Sequence, residues 1–145
     1  MIAVLLAAQL FASETQPFAW PSHRALADWL STGAVATSIA IDTREAWTSP
    51  DRAQAFKCEA IRIGIASGLA ELTKRLVHRT RPDGSDNQSF FSEHTALAAA
   101  SATGWTFGIG LTLGTGYGRM AADKHYATDV LVGASVGGLT HLVCR

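Results

Sequence analysis

The sequence has no surplus of either charge: twelve Lys and Arg stand against twelve Asp and Glu, a formal net charge of zero. A chain that grips nucleic acid through its phosphates needs a basic excess, and an acidic disordered chain shows the opposite, so both classes are excluded. Cysteine is scarce. Cys58 and Cys144 have neither CxxC nor metal-ligand spacing, and the expectation is two unpaired buried thiols rather than a disulfide. There is no Gly-rich loop closing on Lys-Ser or Lys-Thr, which excludes a P-loop. β-Branched alternation is rare, so little in the chain reads as strand. Charge is missing altogether from Thr95 to Gly118.

What is present is apolar and small. Apolar residues make up 48% of the 145 positions and Ala and Gly are abundant, which favours helices packed at close range. The length suits one domain, residues 1–145. Residues 1–13, "MIAVLLAAQLFAS", carry no charged side chain and fit the core of a signal or anchor segment; a buried first helix fits as well. "QPFAWPSH" then breaks the chain with two prolines. Residues 24–42 have helical composition, followed by a polar connector over 43–51. One long helical pattern runs from Arg52 to Arg81 and stops at Pro82, because proline disfavours helical geometry in the residue before it. "DGSDNQ" (83–88) has turn chemistry. An Ala-rich helix follows Ser92, Gly104 is the natural break, and a last helix starts near Arg119 and finishes the chain. The fold class expected is all-α, a compact bundle of five to six helices.

Three polar clusters stand out in this apolar background. Lys74 and Arg81, seven apart, would share one helix face near its C-terminal end, with His78 beside them. Cations there complement the helix dipole, and they can equally clamp a phosphate. In "SFFSEHT" Ser92 is a good N-cap and Glu93 suits a first turn, but His94 gains nothing from that position. Free N–H groups at such a terminus attract anions. The third cluster is Arg119, His125 and Asp129. His and Asp four apart on a helix would meet, and the carboxylate would fix the tautomer of the imidazole. Asp83-x-Ser85-x-Asn87 imitates a calcium loop, but Gln88 stands where Gly is needed and His94 where a bidentate Glu is needed. A zinc site from His94, His125 and Asp129 is opposed by three nearby cations. No metal is therefore expected.

Lys74-x6-Arg81-Pro82, then "SFFSEHT", then Arg119-x5-His125-x3-Asp129 resembles the three-part signature of the type 2 phosphatidic acid phosphatase and vanadium haloperoxidase superfamily. The resemblance implies a helical core and a metal-independent phosphatase without a cofactor. In it Lys74, Arg81 and Arg119 hold the phosphate, with help from Ser92 and the N–H of Glu93. His125 attacks phosphorus, Asp129 orients it, and His94 protonates the leaving group. The implied substrate is a phosphomonoester or diphosphate, a small molecule or a lipid, at an extracytoplasmic or membrane-associated site, with nucleic acid excluded. The second motif departs from the usual Pro-Ser-Gly-His at Glu93, and the third opens with Gly118 in place of Ser. A carboxylate roughly 6 Å from a bound dianion costs several kcal/mol at an effective dielectric near 20, so the expectation is that Glu93 turns its side chain to solvent, away from the phosphate. The alternatives are an attenuated homologue that binds phosphate or lipid headgroups, and a vanadate-dependent haloperoxidase.

If His94 and Arg119 serve one phosphate, no single helix can join them, since it would be about 37 Å long at 1.5 Å per residue. The chain must go out and return, with Gly104 as the turn. Each arm is then too short for a hydrocarbon core of about 30 Å, so the uncharged run reads as two short buried helices.

Overall fold

The structure, a computed structural model, describes residues 23–144. The segment 1–13, with its signal, anchor or first-helix reading, lies outside the described residues. All regular structure among the described residues is helical: α1 (Arg24–Thr48), α2 (Arg52–Val77), α3 (Glu93–Ala100), α4 (Ile109–Ala121) and α5 (Ala127–Leu139), with a π-helical turn at Gly104–Gly108 before α4 and a 3-10 turn at Thr140–Leu142. The all-α expectation holds, and so does the turn at Gly104. Its φ of +71° is left-handed, where glycine alone is unstrained. α3 and α4 are the two short arms. Only α3 is well buried, because α4 leaves Ile109, Leu113 and Tyr117 exposed.

Three boundaries differ from the sequence expectation. The residues read as a connector are helical to Thr48. Contacts across to α2 hold them: Arg62 forks onto both oxygens of Asp42 at 2.8 and 2.7 Å, Thr43 bonds Glu59 at 2.5 Å, and Trp47 meets the edge of Phe56. Pro50 then forces Ser49 into an extended conformation and ends α1. α2 stops at Val77, four residues earlier than Pro82 suggested, because His78 adopts a left-handed cap with φ of +48°. The final helical pattern is broken at 122–126, where Asp123 is left-handed and ion pairs from Arg24 and Lys124 hold the loop.

Close packing comes from glycine where α5 crosses α3. A Cβ at Gly133 would lie 2.4 Å from the Ser92 carbonyl oxygen, and one at Gly137 would lie 2.1 Å from that of Ala96. Backbone therefore meets backbone along this seam, and it fixes the first half of α3 against the second half of α5. Phe90 and Phe91, immediately before α3, are buried with Ala66, Ala70, Ala96 and Ala100 and anchor the segment from behind.

The cysteines are a correction. Cys58 and Cys144 form a disulfide, with Cα atoms 5.3 Å apart. Spacing in sequence says nothing about two residues 86 apart that folding brings side by side. Among the described residues, no helix is long and apolar enough to cross a membrane.

Candidate active site

The site lies where the start of α3, the end of α4, the loop before α5 and the segment after α2 converge. After His78 the chain runs back on itself. Arg81 N–H donates to the Asp86 carbonyl and Ser89 N–H to the Arg79 carbonyl, each at 2.9 Å, closing the 79–89 loop like a hairpin. This loop brings Ser89 under His125 and Arg79 under Asp129.

His125 is buried, and its Nδ1 lies 2.7 Å from the main-chain oxygen of Ser89. Asp129 Oδ2 is 3.9 Å from the same nitrogen, beyond hydrogen-bond range. The expected helical His–Asp pair is thus not formed, because His125 precedes α5 and Tyr126 is its N-cap. Asp129, fully buried, instead accepts from the Ser89 hydroxyl, from Arg79 at 2.5 Å and from the Tyr126 N–H at 3.1 Å. Burial raises its pKa, against the pull of Ser89 and Arg79. The carboxylate therefore acts on His125 through Ser89. A carbonyl at Nδ1 accepts the proton of that nitrogen, which leaves the lone pair on Nε2.

Each predicted phosphate-holding cation is paired with a carboxylate. Arg119, 5% exposed at the end of α4, donates to Asp28 of α1. Arg81 Nε lies 2.7 Å from Asp86, and Lys74 Nζ lies 2.5 Å from Glu93 and 3.2 Å from Glu71. Lys74 and Arg81 do not share a helix face, since Arg81 is past the end of α2, yet the loop returns it to the cluster. Glu93 is the clearest difference from expectation. Its carboxylate does not turn to solvent but reaches the ammonium assigned to the phosphate, because a partly buried cation offers it more than water does. Ser92 caps α3, its hydroxyl buried against the Thr95 hydroxyl at 2.9 Å, so its side chain serves the helix first.

The electrostatics tie the groups together. Burial, then Arg119, pushes the pKa of His94 down to about 4, with Lys74 adding to it and Glu93 and Asp28 opposing. Burial, then Arg119, holds His125 well below the ordinary histidine value, and Arg81 and His94 act in the same direction. Two neutral imidazoles therefore face a group of three cations, which is the inventory for binding a phosphate and attacking it. Among the described residues, no three His, Cys, Asp or Glu side chains cluster as a metal site would require. Arg79, Ser89 and Asp28 were not singled out from the sequence. Ser89 opens the quoted motif and acts through its backbone, while Asp28 lies 91 residues from its partner.

The comparisons with known proteins fall on the same side. No protein-family model matches the sequence. The chain is 35% identical over 91 residues to a Lipid A 1-phosphatase of Porphyromonas gingivalis, a match that takes in 54% of this chain and 20% of that protein. The fold matches the crystal structure of Aquifex aeolicus LpxE with a TM-score of 0.62 at 19% identity, covering 96% of this chain and 92% of that one. The resemblance read from the sequence holds. The second match shows a shared helical fold, and this chain spans about a fifth of the curated relative's length.

Proposed function

We propose that the chain is a metal-independent phosphatase acting on a phosphorylated lipid through a phosphohistidine intermediate. The observation that carries this reading is His125 itself: buried, neutral, its Nδ1 taken by the Ser89 carbonyl, and Arg119 and Arg81 close enough to act on it. In the first step Nε2 of His125 attacks phosphorus while the bond to the leaving oxygen breaks. Arg119, Arg81 and Lys74 take the charge on the phosphoryl oxygens, and the first-turn N–H groups of α3 add donors. The departing alkoxide takes a proton from His94. In the second step His94 accepts a proton from water, which attacks the phosphohistidine, releases phosphate and restores His125.

His94 has to be protonated for the first step, although its pKa is about 4 without the substrate. A bound dianion supplies the missing charge and raises it. A lipid as substrate draws support from the named relatives and from the surface. α1 exposes Leu26, Trp29 and Leu30, and α4, packed against it, exposes Ile109, Leu113 and Tyr117. The Cys58–Cys144 disulfide favours an oxidising, extracytoplasmic setting. The test is hydrolysis of an aryl phosphate by the wild type and by His125→Ala. Activity that survives the substitution removes the assigned nucleophile.

The ion pair between Lys74 and Glu93 favours a second reading, an attenuated homologue that binds phosphate or lipid headgroups and turns over slowly. A carboxylate already on Lys74 competes with the substrate for it.

A further inference from the structure

Arg24, Ala27, Asp28 and Ser31 form one stripe of α1, and it faces the end of α4 and the loop after it. Within this contact the two backbones almost touch. A Cβ at Gly118 would lie 2.8 Å from the Cβ of Ser31 and 3.0 Å from the carbonyl oxygen of Ala27. The usual Ser of the third motif therefore does not fit at 118, and Gly is what lets α1 come this close. Two charged bonds flank the same stripe. Asp28 accepts from Nη1 of Arg119, and Arg24 reaches the Asp123 carboxylate at 2.5 Å.

All three points fall on one short block of chain. Ala122, Asp123 and Lys124 donate their N–H groups to the carbonyls of Gly118, Met120 and Arg119 at 2.9, 3.0 and 3.0 Å, so the turn after α4 is wound tightly onto the helix end. His125 follows directly. α1 thus grips the segment that carries both a phosphate-holding cation and the assigned nucleophile. What Asp28 does there follows from the donor it takes. Arg119 is buried, and burial pulls its pKa down while Asp28 pulls it back. Asp28 occupies Nη1 alone, and the buried Nε has no partner among the described residues. The contact therefore orients the planar guanidinium and still leaves donors for a second anion. A pair with one arm partly in solvent adds little to stability, so its consequence lies in where Arg119 points.

We propose that Asp28 is a positioning residue for Arg119: carried by α1, it aims the guanidinium so that the N–H groups it does not use meet the phosphoryl oxygens. Arg24, one turn earlier, secures the same block at Asp123. This deepens the phosphatase reading and rests on it. Catalysis gains when such donors are fixed before the substrate arrives, since no reorganisation is then needed during the reaction.

The experiment compares Asp28→Asn and Asp28→Glu with the wild type in kcat/KM for phenyl phosphate, inhibition by orthovanadate and thermal midpoint. The first variant keeps the shape and loses the charge, and the second keeps the charge. Asp28→Asn is expected to lower kcat/KM and to weaken vanadate by about tenfold each, the order of one charge-assisted hydrogen bond. Asp28→Glu should recover most of both, with all midpoints within a few degrees of one another. Tighter vanadate binding in Asp28→Asn would overturn the proposal, because Asp28 would then compete with the phosphate. Values equal to the wild type would overturn it too, and so would equal losses in both variants, which mark a merely structural contact. If the wild type binds inorganic phosphate in calorimetry but cleaves nothing, the phosphatase reading fails. Asp28 is then judged by phosphate affinity in the same variants, with the same signs. If the wild type binds no phosphate, both readings fall.

Discussion

His125 is held by the main-chain oxygen of Ser89 at 2.7 Å, not by the Asp129 carboxylate four residues on. The side chain of Ser89 in turn bonds Asp129, so one residue links carboxylate and imidazole through its two polar ends. Ser89→Ala removes the hydroxyl and leaves the buried Asp129 one donor short. We expect kcat for an aryl phosphate to fall roughly 10- to 100-fold, the range for stranding a buried polar group, while KM changes little. Ser89→Thr keeps the hydroxyl and should restore most of the rate. If Ser89→Ala matches the wild type in kcat, Ser89 does not position the nucleophile.

Glu93 sits on Lys74 at 2.5 Å, and a phosphate must share or displace it. Replacing it by Gly frees the ammonium and returns the second motif to the usual pattern. Steady-state kinetics should then show kcat/KM rising about tenfold, the order of one charge-assisted hydrogen bond. A fall would mean that Glu93 positions Lys74 instead of competing with the substrate.

The pKa of His94, about 4 in the unliganded site, sets a sign for proton linkage. Phosphate or vanadate adds negative charge nearby and raises that value, so binding at pH 6 takes up protons from solution. Calorimetry in two buffers of different ionisation enthalpy should show the uptake, and His94→Gln should reduce it sharply. Uptake that persists in His94→Gln assigns the proton elsewhere.

Where α5 crosses α3, a methyl group at Gly137 would meet the Ala96 carbonyl at 2.1 Å. Gly137→Ala must push the helices apart, and overpacking of this kind costs about 1–3 kcal/mol. A drop of several degrees in thermal midpoint is expected, with activity lost out of proportion, since α3, which carries His94, packs on α5, whose first turn carries Asp129. Unchanged stability and rate would show that the seam can open without consequence.

The sequence made much of this site legible because its cations and histidines are rare in an apolar chain. Lys74, Arg81, His94, Arg119 and His125 could be picked out by type and order. What could not be read was who holds whom. Helical periodicity placed His125 opposite Asp129, but the chain leaves the helix between Ala121 and Ala127, and a period that is interrupted predicts nothing across the gap. The same fault extended α2 to Arg81. The Gly104 turn was legible because the need for His94 and Arg119 to meet is a distance argument, independent of local propensity. Asp28 and the disulfide partner were invisible for the opposite reason, since long-range pairs leave no local trace.

The link between Cys58 and Cys144 also has a topological meaning. Every residue assigned to the phosphate, from Lys74 to Asp129, falls inside the covalent ring it closes. A protease that cuts an exposed loop within that ring, such as 83–88, leaves one connected molecule instead of two fragments. The pieces stay at high effective concentration, so the two halves of the candidate site can find each other again. Reduction would convert the same nick into dissociation. The bond thus protects the integrity of the candidate site against cleavage while lying outside it.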